Sequence, residues 1–392
     1  MKKIYFIGAT RTAIGKFGGS LRKFNAADLG TVSAQETLRR SGLSTERIQA
    51  VWFGCGRQAG VGPNVARQIA YRAGVPVTAP ASTINMACAS SLETVITAAR
   101  AMHSGDIDVA LVGGTESMTN VPHMIFDARW GIALGQSKLV DAMYHDGFHC
   151  KLCDMLMGAT ADKLTALKGV TRQEQDEYAL MSQQRCRQAQ ADGAFAAEIT
   201  PVTIKSRSGE TLFDTDEHPR GDATLEGLAK LNPVFGADGT VTAGNACGIT
   251  DAASSMIIAT EDAVNNHGLT PEAELLGYAQ SGVEPDIMGL GPVPAVRALL
   301  DAQKIALHDI DLVELNEAFA GQVLACHRDL NFDLERLNVH GGAIALGHPI
   351  AATGARILTT LIHALKRRDK ELGLATLCVS GGQGTAMLLR RV

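Results

Sequence analysis

The stretch 338–356, NVHGGAIALGHPIAATGAR, decides how the rest of the chain is interpreted. Its four glycines let the backbone turn sharply around His348 and approach a ligand closely. Pro349 suits a first helical turn, and apolar residues follow at helical spacing. The pattern predicts that His348 lies at a helix N-terminus, where the helix dipole disfavours its protonation and leaves a neutral base. The alternative is a histidine packed in a loop against its own helix.

The elements around this stretch recur, in weaker form, in the first half of the chain. The same order of strand, loop-to-helix turn and strand is found in AVWFGCG (50–56), ACASSLETVITAAR (87–100) and DVALVGGTE (108–116), and again in LVELNEAFAG (312–321), GHPIAATGARILTTLI (347–362) and LATLCVSGGQG (374–384). Cys88 and His348 occupy corresponding turns. The repeat predicts a site at the junction of two similar halves, and chance similarity between α/β elements is the alternative.

Strands that alternate with helices, and that read as apolar runs, predict an α/β fold whose sheets are covered by helices. We expect an N-terminal half from residues 1–118 and 249–270, and a C-terminal half from 271–392. Residues 119–248 lack the alternation, which predicts an inserted helical and loop-rich domain. Within it, 173–195 reads as an amphipathic helix that ends near Gly193.

Composition restricts the class of protein. The 392 residues are 46% hydrophobic and 20% charged, which is typical of a globular chain of two or three domains. A net charge of −5 does not favour wholesale binding to nucleic acid or to an anionic membrane. We find no signal-peptide core or membrane-spanning stretch, and eight scattered cysteines indicate reduced thiols in the cytoplasm.

Four further residues offer chemistry. Cys88 precedes a helical run, where amides at the helix end lower a thiol pKa, and a neighbouring histidine could take its proton. Cys378 ends a strand that runs into SGGQG, so it could shuttle protons beside free backbone amides that suit an oxyanion hole. Asn316 and Glu317 offer an amide and a carboxylate at a strand end. The alternatives are small buried thiols and a turn or helix cap.

Together these stretches resemble the thiolase family, in order and in spacing, over essentially the whole chain. The matching motifs are NMACASS (85–91), GGTESM (113–118), TVTAGNACG (240–248), GPVPA (291–295), NEAFA (316–320), GGAIALGHP (341–349) and CVSGGQG (378–384). The resemblance implies two βαβαβαββ halves stacked in a five-layer αβαβα fold with an inserted loop domain. It also implies a catalytic cycle.

In that cycle Cys88 is the nucleophile that becomes acylated, and His348 activates it. Cys378 exchanges a proton with the methyl group of acetyl-CoA. Asn316, through a water, and His348 form one oxyanion hole, and the backbone N–H groups of Cys88 and Ser380 form the other. Claisen condensation needs such an acyl carrier, a base for a weak carbon acid, and two places for oxyanions.

The resemblance also implies coenzyme A contacts in the inserted domain. These are Arg220 at the adenine, Phe235 and Phe319 along the pantetheine, Met157 and Met288 near the acyl group, and Cys247 where a serine is common. For the Phe and Met residues the alternative is core packing. We expect acetyl-CoA, acetoacetyl-CoA or another 3-oxoacyl-CoA, and CoA as ligands, with no metal or organic cofactor.

Some positions depart from the family pattern. Ser380 replaces a common glycine and would be strained at a positive φ. Ser91 and Ala351 also replace common glycines, and Leu156 stands where short-chain biosynthetic enzymes usually have a histidine. These departures leave acyl-chain preference and coenzyme A affinity open. Cys150 and Cys153 form a CxxC beside His149, which is weak evidence for zinc or redox chemistry.

The resemblance therefore implies an acetyl-CoA C-acetyltransferase of fatty acid metabolism, acting in either the synthetic or the degradative direction. Alternatives are a degradative 3-ketoacyl-CoA thiolase of broader chain length and a catalytically silent acyl-CoA-binding or assembly subunit. A ketoacyl synthase or hydroxymethylglutaryl-CoA synthase is disfavoured by Cys378, because those enzymes use His or Glu at that step. We expect a homodimer or homotetramer, since 122–147 resembles a tetramerisation loop.

Overall fold

The first part of the chain builds most of one half of the molecule. The computed structural model describes residues 2–132, 134–135, 138–207 and 209–392. Up to residue 118 the elements are β1 (Ile4–Thr12), β2 (Gly15–Lys16), α1 (Ala26–Ser41), β3 (Ala50–Gly54), α2 (Val65–Arg72), β4 (Ala81–Ile84), α3 (Ser90–Ser104) and β5 (Val109–Ser117). Glycines at 42 and 105, both in the left-handed region, end α1 and α3 as their sequences predict.

The region that follows is built from helices and small hairpins. Its elements are β6 (His123–Met124), β7 (Val140–Asp141), β8 (His149–Cys150), β9 (Met155–Leu156), α4 (Met157–Lys168), α5 (Arg172–Ala191), β10 (Ile199–Thr200), β11 (Val202–Ser206), β12 (Gly209–Phe213) and α6 (Leu225–Ala229). The helix predicted over 173–195 is α5, and Gly193 follows its end with a positive φ. The assignment of 119–248 as a separate domain stays a prediction.

The remaining elements complete the first half and build the second. They are β13 (Thr250–Thr260), α7 (Glu261–His267), β14 (Ala273–Gly282), α8 (Pro292–Gln303), β15 (Leu312–Leu315), α9 (Ala320–Leu330), α10 (Ala343–Leu346), α11 (Thr353–Arg367), β16 (Leu372–Val379) and β17 (Gln383–Arg391). The segment predicted as one strand over 312–321 is strand only to Leu315, and helix α9 begins within it.

Alternating side chains of the central strands create the layers. In β1, Ile4 and Phe6 face a core that also holds α3 and α11, whereas Tyr5 and Ile7 face α1, α2 and α7. In β16, Ala375 joins the first core, and Leu374 faces α8 and α9. Helices therefore cover both outer faces, and α3 and α11 fill the space between the two sets of strands. The result is the predicted five-layer αβαβα fold.

Within the described ranges the two sets of strands are joined in one sheet, with main order β15–β16–β17–β14–β1–β13–β5–β3–β4. The junction is short, because β1 and β14 pair only at Tyr5 with Glu274 and at Phe6 with Ala273. The first half follows βαβαβαββ order in full. In the second half, the place of the third strand is taken by an isolated bridge between Val313 and Leu337.

Candidate active site

The two turns predicted to correspond meet between the halves. Cys88 lies in a 3-10 turn, Ala87–Ala89, directly before α3, and His348 lies two residues before a 3-10 turn, Ile350–Ala352, that leads into α11. The long helix α11 thus begins at Thr353, whereas the sequence predicted a helix start at Pro349. The Sγ atom of Cys88 lies 3.3 Å from Nε2 of His348. This distance is within reach of proton transfer between a thiol and an imidazole.

A hydroxyl group fixes which nitrogen of His348 carries the proton. Thr353 Oγ1 donates to the carbonyl of Pro349 and lies 2.6 Å from Nδ1 of His348. Because the hydroxyl proton is already directed at that carbonyl, its oxygen is free to accept from Nδ1–H. The lone pair of Nε2 therefore faces the thiol of Cys88, so the imidazole is oriented as a base. Sequence reasoning did not single out Thr353.

Both members of this pair are electrically neutral in the free protein. Burial lowers the pKa of His348 to about 3, and the charges of Arg356 and Arg57 lower it further. Burial raises the pKa of Cys88, although the backbone N–H groups of Ser380 and Cys88 and the charge of Arg57 oppose the rise. The sequence predicted a lowered thiol pKa from helix-end amides. That prediction was wrong, because desolvation outweighs the amides in this buried site.

Two backbone amides lie beside the sulfur of Cys88. The N–H groups of Ser380 and of Cys88 itself are close enough to it to oppose the rise in its pKa. These are the two groups named for the second oxyanion hole, and donors fixed before charge develops are what such a site needs. Ser380 is unstrained, since positive φ angles fall on Gly381 and Gly382 instead. The substitution at 380 therefore keeps the turn that the family pattern requires.

Cys378 lies at the end of β16, where it is 1% exposed. Burial raises its pKa well above the ordinary value, and the thiols of Cys88, Cys326 and Cys247 raise it further. The structure therefore places Cys378 close enough to Cys88 for a charge on one to affect the other. The thiol of Cys378 is neutral. A buried thiol of raised pKa holds its proton until a strong acceptor or a carbanion is bound beside it.

Asn316 follows β15 and is completely buried. Neither its side-chain nitrogen nor its side-chain oxygen has a hydrogen-bond partner among the described residues. A buried amide is normally satisfied by hydrogen bonds, so this side chain is suited to a bound water or ligand atom. This arrangement agrees with the water-binding role that the family resemblance implies, which stays a prediction.

A cavity of about 740 Å³ leads to His348 from the protein surface. Five of the six residues named for coenzyme A line it: Arg220, Phe235, Phe319, Met157 and Cys247. Arg220 is exposed at its mouth, and the rings of the two Phe residues stand edge to face, 6.5 Å apart. Met288 is instead buried behind the wall, in a cluster with Phe319 and Cys378. The cavity is large enough for an extended, partly apolar ligand.

Family models match nearly the whole chain. The thiolase N-terminal domain matches residues 4–262, and the thiolase C-terminal domain matches residues 269–391. The chain belongs to the thiolase family. It is 45% identical to an acetyl-CoA acetyltransferase of Syntrophomonas wolfei subsp. wolfei, with 99% of both chains covered.

Solved structures agree with this assignment. This thiolase is similar to the acetyl-CoA acetyltransferase of Bacillus anthracis, with a TM-score of 0.98, 40% identity, and 100% of this chain and 99% of the other covered. It is also similar to human mitochondrial 3-ketoacyl-CoA thiolase in complex with CoA, with a TM-score of 0.96 and 40% identity over 100% and 98% of the chains. The five-layer fold of this thiolase is therefore that of its family.

Two buried carboxylates hold the loops of the thiolase site in place. Glu116 accepts from the backbone N–H groups of Gly56, Arg57 and Ala351, at 2.9–3.1 Å, and so ties the turn after His348 to the first half. Sequence reasoning missed this residue, although it lies in the quoted GGTESM motif. Because Ala351 is held through its backbone, its methyl group does not disturb this link.

Glu317 plays the same part in the second half. It accepts from Tyr178 and Ser182 of α5, from the side chain of Asn338, and from the backbone of Ile344, at 2.7–3.1 Å. The sequence analysis offered Glu317 as a carboxylate at a strand end, with a cap as the alternative. The structure gives it a bridging role between the inserted region and the stretch that leads to His348.

Proposed function

We propose that this thiolase is an acetyl-CoA C-acetyltransferase, which joins two acetyl-CoA to acetoacetyl-CoA and CoA and catalyses the reverse thiolysis. The observation that carries the proposal is the contact between Cys88 and a His348 held as a base. The S. wolfei relative carries this activity in its name, and the human neighbour was solved with CoA. No step of this reaction requires a metal or organic cofactor, so none is included in the proposal.

Acylation of Cys88 is the first step. Because the thiol and the imidazole are both neutral, an ion pair before substrate binding is unfavourable. The proton therefore moves to Nε2 of His348 as Sγ attacks the thioester carbonyl. The oxygen of the resulting tetrahedral intermediate takes up charge, and the N–H groups of Cys88 and Ser380 stabilise it. Collapse releases CoA, whose thiolate receives a proton from Cys378, while His348 keeps the Cys88 proton on Nε2.

Carbon–carbon bond formation is the second step. Cys378, once deprotonated, takes a proton from the methyl group of a second acetyl-CoA. The enolate oxygen is stabilised by Nε2–H of His348 and by a water held on Asn316, and its carbon attacks the acyl-cysteine. Burial, and to a smaller degree the neighbouring thiols, make Cys378 hard to ionise, so loss of its proton must be coupled to departure of CoA.

A broader 3-ketoacyl-CoA thiolase is the second candidate. The likeness to the human 3-ketoacyl-CoA thiolase and the apolar Leu156, at the start of a helix whose first residue lines the cavity, favour it. The two candidates differ in substrate length rather than in mechanism. Thiolysis rates for 3-oxoacyl-CoA of increasing chain length distinguish them: a steep fall beyond four carbons supports the first, and a flat profile supports the second.

The central test combines turnover with mass spectrometry. We expect the wild-type protein to cleave acetoacetyl-CoA with CoA and to carry an acetyl group on Cys88. A Cys378→Ala variant should still be acetylated there by acetyl-CoA, because Cys88 and His348 are unchanged and CoA can take its proton from solvent, while thiolysis and condensation are lost. Absence of both turnover and acylation in the wild-type protein would instead support a silent acyl-CoA-binding subunit. Loss of acylation in Cys378→Ala would refute the division of roles.

We also propose a cytoplasmic homodimer or homotetramer. Large apolar side chains are exposed in the segment resembling a tetramerisation loop, namely Ile125, Phe126, Trp130, Ile132, Leu134 and Leu139. Such a patch is typical of a surface that binds another chain. Ala133, Gln136 and Ser137 of the segment lie outside the described residues. No helix in the described ranges has both the length and the apolarity to cross a membrane. Sedimentation analysis tests the oligomeric state.

A further inference from the structure

The CxxC motif lies in a small hairpin beside the active-site loop. Strand β8 ends at Cys150, which pairs with Met155 of β9, and the turn between them contains Cys153. The hairpin contacts the turn that follows Cys378: a side-chain methyl of Leu152 lies 3.6 Å from the position that a Cβ would take at Gly381. The two segments are distant in sequence, so the fold brings this motif to the site.

Three backbone N–H groups and one thiol act on the ionisation of Cys150. The N–H groups of Cys153, Leu152 and Gly381 and the side chain of Cys153 lie close enough to its sulfur to lower its pKa. Although burial acts in the opposite direction, these donors hold the pKa of Cys150 below its ordinary value. Burial raises the pKa of Cys153, and its hydrogen bond to Cys150 raises it further. Cys150 is therefore the easier of the two thiols to ionise, and Cys153 lies beside it.

The same loop serves the catalytic sulfur. The N–H group of Gly381 lowers the pKa of Cys150, and that of the preceding residue, Ser380, acts in the same direction on Cys88. Two neighbouring amides of one tight turn thus lie beside two different sulfurs. If Cys150 stops accepting a hydrogen bond, Gly381 loses its partner and the position of Ser380 is no longer fixed from that side.

We propose that Cys150 and Cys153 are an oxidant-reactive thiol pair, which closes to a disulfide and weakens acyl transfer at Cys88. The modification is independent of the function proposed above, whereas its effect on turnover rests on it. Metal binding is the less favoured use of the motif, because the described residues contain no group of three or more potential metal-binding side chains.

A peroxide is the oxidant that this site can admit, since Cys150 is only 6% exposed. The Cys150 thiolate attacks one peroxide oxygen, the O–O bond breaks, and the hydroxide released takes a proton to become water. The sulfenic acid left on Cys150 is then attacked by Cys153, which gives up its proton; the S–O bond breaks and a second water leaves. The two thiols lose two electrons and two protons, and one peroxide is reduced to two waters.

The sequence provides a direct test for the disulfide. Trypsin cleaves after Lys151, between the two cysteines, so an oxidised full-length chain should yield two peptides that stay joined until a reductant is added. We expect this product with hydrogen peroxide in the wild-type protein and in Cys88→Ala. Cys153→Ser should not give it, and Cys186→Ala, a buried cysteine in a different cluster, should give it normally. Absence of the joined peptides, or a Cys88–Cys378 linkage instead, overturns the proposal.

Turnover tests the coupling. After identical peroxide treatment, wild-type thiolysis of acetoacetyl-CoA should fall several-fold more than that of Cys153→Ser, and dithiothreitol should restore the difference. Equal losses in the two proteins, with the disulfide formed, would refute the link to Cys88. If the untreated protein has no thiolase activity, the proposed function fails while the peptide test still reports on the thiol pair.

Discussion

The turn of Cys88 and the turn of His348 are built alike but controlled differently. Each contains a 3-10 segment followed by a long helix, and each helix begins with a hydroxyl residue, Ser90 or Thr353. Ser90 accepts from the backbone N–H of Met86 and donates to the carbonyl of Ala87, so its hydroxyl shapes only the main chain. Similar sequence architecture therefore produces similar turns in both halves.

The hydroxyl in the second turn acts on a reactive side chain. The hydroxyl oxygen of Thr353 accepts a hydrogen bond from Nδ1–H of His348, which leaves the lone pair of Nε2 facing the thiol of Cys88. The position of the nucleophile, Cys88, thus depends on the shape of the backbone. The orientation of the base, His348, depends on a side-chain hydrogen bond. This difference teaches that a repeated fold can place two reactive groups symmetrically while giving each its own means of control.

Removing the base should have the largest effect on activity. In His348→Asn, Cys88 has no acceptor for its proton, so we expect kcat/KM for acetoacetyl-CoA thiolysis to fall by about 10²–10⁴-fold. Steady-state kinetics measure the loss, and the rate of Cys88 acylation should fall with it. His363→Asn, on the helix α11 that follows His348 but bonded to the carbonyl of Ala9, is the matched control and should retain activity. An active His348→Asn would assign the base elsewhere.

A smaller effect is expected from Thr353→Val. The buried Nδ1–H loses its acceptor and the tautomer is no longer fixed, which at about 1–2 kcal/mol corresponds to a fall in kcat of roughly tenfold. KM should change little, because Thr353 does not line the cavity. Thr353→Ser keeps the hydroxyl and should recover the rate. Wild-type kcat in the valine variant would show that the hydrogen bond does not orient the base.

Ser90→Ala provides the contrast to that variant. In the wild-type protein the hydrogen bonds of the Ser90 hydroxyl hold the turn. Their loss should lower the free energy of unfolding by about 1 kcal/mol. The change in kcat should be smaller than in Thr353→Val, since the hydrogen bonds that the Ser90 hydroxyl makes with described residues go to the main chain. Denaturant unfolding and kinetics on the same preparations check both. A larger kinetic loss in Ser90→Ala would reverse the interpretation of the two turns.

The last prediction concerns acid stability rather than activity. The pKa of His348 is about 6.5 in an unfolded chain and about 3 when folded. Between these values the unfolded state binds more protons, so stability falls as the pH drops through this window, and above it this group contributes no pH dependence. His348→Asn should therefore lose less stability between about pH 7 and 4 than the wild-type protein. Parallel slopes in denaturant titrations would contradict the neutral imidazole.

Much of the fold and the site was predictable from local signals. Glycines at 42 and 105 ended helices as expected, and corresponding turns placed Cys88 opposite His348. These features depend on short-range backbone limits and on the order of elements. The family motifs then indicated roles for Cys378 and Asn316.

The remainder depends on burial and long-range contacts, which a sequence does not display. The raised pKa of Cys88 reflects desolvation by both halves. The bridging roles of Glu116 and Glu317 require loops that lie far apart in the chain. The role of Thr353 was not predicted for another reason. Pro349 suggested an earlier helix start, which would have put that threonine one turn inside the helix.

The strand pairing of the first half has a consequence for folding. Strand β1 lies between β13 and β14, so its neighbours in the sheet come from residues made more than two hundred positions later. Closing so long a loop costs conformational entropy before any contact repays it, and such topologies fold slowly. During synthesis the apolar first strand stays unpaired until these residues are made. An unpaired apolar strand is prone to aggregation, which chaperones prevent.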